Sequence, residues 1–67
     1  MNTVVIINDN EDALHQVPAQ SAVVVVFLKE HLNPTEMRRL APIVASKIAV
    51  GGTGFVARTM GEVMERL

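Results

Sequence analysis

The stretch Ala22-Val23-Val24-Val25-Val26-Phe27-Leu28 decides how this chain folds. Four consecutive valines favour extended backbone, because a side chain branched at Cβ loses rotamer freedom against the preceding turn of a helix. No polar residue alternates with the apolar ones. The strand is therefore predicted to be covered on both faces, as when helices flank a sheet on either side. A solvent-facing run of this kind would be an aggregation hazard. The run is also far short of the ~20 residues that a membrane-spanning helix requires.

Upstream, Thr3–Ile7 is β-branched throughout and stops at Asn8-Asp9-Asn10, a cluster that favours turns and caps. It is predicted as a first strand. Glu11–Val17 follows as a short helix, with Asp9 or Asn10 as its N-cap, acids in its first turn, and Pro18 as its stop. Residues Met1–Asp9 offer neither a basic head nor a long apolar segment, so no secretory signal is expected.

Downstream, Asn33-Pro34-Thr35-Glu36 opens a helix. Asn33 is the cap, Pro34 takes the first helical position, and Glu36 can bond back to the cap. Met37, Leu40, Ala41, Val44, Ala45 and Ile48 share one broad arc. Pro42 predicts a kink, or a break near Leu40–Ala41, and Gly51-Gly52 ends the segment. Thr53 then caps a last helix, Gly54–Leu67, with Val56, Met60, Val63, Met64 and Leu67 as its apolar stripe. Ala41, Ala45 and Ala49 on one helix, with Ala57 and Gly61 on the next, suit a close hairpin. The expected fold is a single small α/β (α+β) domain over residues 1–67, ordered β-α-β-α-α. Its two-stranded sheet packs on a C-terminal helical hairpin, with the relative strand direction left open.

At 67 residues the chain is near the lower edge of what folds unaided. It has no cysteine, and its two histidines, His15 and His31, are far apart in sequence. A disulfide and a thiolate metal site are thereby excluded, and no metal or cofactor is expected. Subunit association remains, and a two-stranded sheet whose strands are both edges would gain from it. Dimerisation is the expected completion of the core. The net charge of −1 supplies no global field for nucleic acid or anionic lipid. No membrane partner is expected, and the missing cysteines suit the cytoplasm.

Candidate chemistry is sparse. Ser21, Ser46, His15 and His31 form no recognisable nucleophile–base arrangement. Gly51-Gly52-Thr53-Gly54 lacks the lysine and the spacing of a phosphate-binding loop, and Asn8-Asp9-Asn10-Glu11-Asp12 lacks the glycine and distal glutamate of a calcium loop. A non-enzymatic regulator or inhibitor, acting on another protein as a homodimer, is the leading expectation. Ile43 and Val50 fall off the main apolar arc beside Arg39, which nominates Arg39, Ile43, Val50 and Phe55 as interface residues. The alternative is a compact DNA-binding transcriptional regulator. The stretch from Val44 to Met60 has the layout of a helix-turn-helix, with Lys47, Arg58 and Thr59 as its DNA contacts. That reading is short of the cations a phosphate backbone calls for.

Overall fold

Strand β2 forms over Ala22–Leu28, as its composition dictates, and lies in the middle of a parallel sheet ordered β1-β2-β3. The computed structural model describes residues 3–67; Met1 and Asn2, which head the segment tested for a secretory signal, lie outside them. The element order is β1 (Val4–Asn8), α1 (Glu11–Gln16), β2, α2 (Pro34–Ser46), β3 (Ile48–Ala57) and α3 (Met60–Arg66). The two strands expected from sequence are thus joined by a third, and both strand pairings are parallel. No helical hairpin forms at the C-terminus.

The alternating side chains of β2 divide the core in two. Val25 and Phe27 face α1 and α2, where they meet Ile7, Leu14, Leu32, Leu40, Val44 and Val56, and Ala22 at the start of the strand joins this cluster. Val24, Val26 and Leu28 face α3 and meet Phe55, Ala57 and Val63. Val25 and Val26 are both fully buried, so the valine run is covered on its two faces. Two right-handed strand–helix–strand units advancing in the same direction put α1 and α2 on one side, leaving α3 alone on the other.

The predicted caps hold locally, with changes in the side-chain partners. The Asn10 side chain accepts from the Ala13 amide at 3.3 Å to start α1. Asn33 accepts from the Glu36 amide at 2.8 Å to start α2. The Glu36 carboxylate reaches outward to Lys29 Nζ at 2.5 Å instead of back to its cap. Helix α2 runs through Pro42 without a break in its assignment. The carbonyl deprived of a partner there belongs to Arg38, on an exposed flank where water can serve.

The correction concerns residues 48–57, expected as a helix end, a turn and a new helix. Ile48, Val50, Thr53 and Val56 are β-branched, and three glycines raise the cost of a helix further. The free edge of β2 supplies these residues with backbone partners, from Ala22↔Ile48 to Leu28↔Ala57. A bulge interrupts the register between Ala22 and Val24, near the left-handed Gly51 at φ +83°. Thr53 consequently caps nothing; Thr59 caps the shorter α3, accepting from the Glu62 amide at 3.1 Å. Ala41 and Ala45 are exposed on α2, while Ala49 and Ala57 belong to β3, so the small-residue rows do not meet.

Gly52 explains how the bulged half of β3 packs. A Cβ placed there would come within 2.5 Å of the Ile48 side chain and 2.7 Å of the Val23 carbonyl oxygen. The carbonyl is backbone and cannot step aside. Gly52→Ala is expected to lower unfolding free energy by about 1–3 kcal/mol, read from urea denaturation midpoints. Gly61→Ala, whose Cβ would meet only Thr59 Oγ1 at 3.7 Å, is expected to be neutral or mildly stabilising.

Candidate interaction surface

Sheet position leaves apolar side chains of β1 exposed. It is an edge strand, and only β2 pairs with it. Val5 and Ile7 turn toward α1 and α2, whereas Val4 and Ile6 turn toward the α3 side with 62% and 48% of their surface exposed. Helix α3 covers the β2 and β3 part of that side through the buried Val63. The Arg66 guanidinium lies 4.4 Å from the Phe55 ring centre, which fixes one flank of α3 over β3. At ~100° per residue Met60, Met64 and Leu67 occupy the opposite flank, toward β1. They are 49%, 71% and 64% exposed, and with Val4 and Ile6 they are the exposed apolar side chains on this side of the sheet, an apolar shelf.

The other side of β1 carries a groove of about 410 Å³ lined by Thr3, Val5, Ala13, Gln16, Val17, Pro18 and Ser21. Its wall is the flank of α1 that carries Ala13, Gln16 and Val17. The charged flank of α1 turns the opposite way. Glu11 receives two hydrogen bonds from the Arg39 guanidinium of α2, both at 2.8 Å, and lies 3.1 Å from His15 Nε2. None of the residues lining the groove is charged.

The residues nominated from sequence do not converge. Arg39 is committed to Glu11, and Ile43 packs beside the core between α2 and the sheet. Phe55 is buried on the opposite side of the sheet under Arg66. Val50 lies in the bulged half of β3, fully exposed, and not on a helix beside Ile43. The four do not form one surface. The useful residues, Val4 and Ile6, were legible only as strand formers, and the stripe Met60-Met64-Leu67 reads in sequence as core. Only the position of α3 over two of three strands exposes both.

The helix-turn-helix layout is overturned, because its turn and much of its second helix lie in β3. Lys47 caps the C-terminus of α2, while Arg58 follows the far end of β3, whose ends pair with Ala22 and Leu28 of β2, about 20 Å apart. Arg58 is also engaged: its Nε donates to the Leu32 carbonyl at 3.0 Å. Thr59 is occupied as a helix cap. At the turn after β1, Asn10 acts as a cap, and among the described residues no cluster of three or more His, Cys, Asp or Glu side chains could hold a metal ion. No helix among them is long and apolar enough to cross a membrane. Comparison with protein-family models, with curated proteins and with solved structures finds no match.

The Glu11–Arg39 pair joins the two helices on one face and has a measurable consequence. Chiefly the Arg39 hydrogen bonds, aided by His15, draw the Glu11 carboxyl down from 4.5 to about 2. A carboxylate held below its unfolded value stabilises the fold above that value, and the contribution fades as pH falls through the folded one. Stability measured by denaturant should decline between about pH 4.5 and pH 2, and the decline should be shallower in Glu11→Gln.

Proposed function

We propose that the chain is a small non-enzymatic regulator or inhibitor that acts by protein–protein interaction, working as a homodimer in the cytoplasm. The observation that carries this reading is the apolar shelf of Val4, Ile6, Met60, Met64 and Leu67, each about half or more exposed. Scattered apolar residues on a surface need no explanation, but five on one side of one sheet mark a place where another surface belongs. Two of the five are methionines, whose flexible and polarizable side chains adapt to a partner's contour. Of the charged residues of α3, Glu62 and Arg66 pair on the flank away from the shelf, 3.9 Å apart, and Glu65 lies exposed on the outward side of the helix. The cations considered for DNA contact lie at opposite ends of β3 or are held internally, which favours a protein partner over nucleic acid.

Sedimentation equilibrium at micromolar concentration is expected to return twice the 7.3 kDa chain mass; a monomer throughout would overturn the homodimer. Mixed-sequence duplex DNA at low salt is expected to leave the protein unbound, and tight, salt-sensitive binding would overturn the reading as a whole. The shelf has its own check. A Met64→Glu, Leu67→Glu double variant should stay folded by circular dichroism, since both side chains are exposed, and should fail to retain the protein that the unaltered chain captures from a native lysate.

A further inference from the structure

The two edges of the sheet are built differently. The β3 edge is blunted by a bulge, a left-handed glycine at Gly51 and the fully exposed Val50 just before it. The β1 edge has none of the usual protections: no proline, no lysine, no bulge and no charged side chain over Val4–Ile7. Its unpaired backbone groups can be assigned. The Asp9 amide donates to the Leu28 carbonyl at 2.8 Å, and the Thr3 carbonyl accepts from the Val23 amide at 2.9 Å. Alternate residues point the same way in a strand, so Thr3, Val5 and Ile7 bond toward β2. The N–H and C=O groups of Val4, Ile6 and Asn8 are therefore directed outward.

Resting on the homodimer reading, we infer that a second copy of the chain occupies this edge, its β1 antiparallel to the first about a two-fold axis at Val5. This register sets Val4 opposite Ile6 of the other copy, and each such pair exchanges two hydrogen bonds through the outward-facing groups. Val5 meets its own symmetry mate as a non-hydrogen-bonded pair. The three-stranded sheet becomes six-stranded.

Two features select a copy of this chain over a foreign strand. The edge is self-complementary over Val4–Ile6, as an isologous contact requires: Val4 meets Ile6 on one side of the sheet and Val5 meets Val5 on the other, with Thr3 opposite Ile7 at the margin. The flanks agree as well. The uncharged side of α1, with Ala13 and Val17, borders the groove that the second α1 would fill, while Glu11 and His15 turn away toward α2. No charged side chain lines the groove itself. The same pairing joins the two shelves across one apolar floor of four side chains, Val4 and Ile6 from each copy.

The chain's lack of cysteine makes the register directly testable. At a non-hydrogen-bonded antiparallel pair the two Cα atoms lie about 4.5 Å apart, within disulfide range. Val5→Cys under mild oxidation is expected to give a covalent dimer on a non-reducing gel, whereas Thr35→Cys, exposed at the start of α2, is expected to remain a single chain. Ile6→Pro removes an outward amide, and with it two hydrogen bonds per dimer, while leaving the β1–β2 ladder intact. It should raise the dimer dissociation constant at least about tenfold in sedimentation. A dimer that neither cross-links through Val5→Cys nor weakens with Ile6→Pro would overturn this interface and leave the homodimer reading standing. If Ile6→Pro fails to fold, the Val5→Cys cross-link decides alone. A monomeric unaltered chain would overturn both.

Discussion

Everything in this protein is arranged around the requirement that β2 be covered on both faces. Val25 and Val26 point in opposite directions from neighbouring positions, and neither retains contact with water. A strand of that composition has to be central and has to be layered on each side. Its two edges call for partners, which β1 and β3 supply, and its two faces call for helices, which α1 with α2 and then α3 supply. The parallel direction follows from the connections, because each passes through a helix that returns the chain to the same end of the sheet.

The coverage is unequal, and the inequality is where the functional surface arises. Two helices cover the first face and one short helix covers the second. Three strands are too wide for α3 alone, so Val4 and Ile6 remain open beside Met60, Met64 and Leu67. The Arg66 contact with Phe55 holds α3 toward β3, which keeps the β1 side clear. On the first face the Glu11–Arg39 pair draws the charged side of α1 toward α2. Both faces thus present apolar, uncharged surface along the same strand edge. An unprotected edge flanked in this way is a pairing site in waiting.

Polar groups in the fold serve local tasks. Asn10, Asn33 and Thr59 each satisfy an amide at a helix start, and Lys29 and Glu36 pair across the β2–α2 connection. The Lys29 ammonium and the Glu36 carboxylate stabilise each other's charged forms, raising one titration and lowering the other. The residues that looked available for contact in the linear sequence, Arg39 and Arg58, are held in intramolecular bonds.

The residues of β2, the caps at Asn10 and Asn33, and the stop at Pro18 were legible in the sequence, because each depends on neighbours within a few positions. Branched side chains disfavour a helix wherever they occur, and a cap side chain needs only the amide three residues on. Strand β3 was not legible in the same way. Its glycines read as punctuation until Ile48 and the Val23 carbonyl are seen to occupy the space a side chain would need at Gly52. The interface candidates failed for the same cause, since Ile43 and Val50 were placed on one face by a helical period that residues 48–57 do not follow. The exposure of Val4, Ile6 and Met64 was decided by tertiary structure alone. Which apolar residue is buried depends on how far one helix reaches across a sheet, and that distance is a property of the assembled layers.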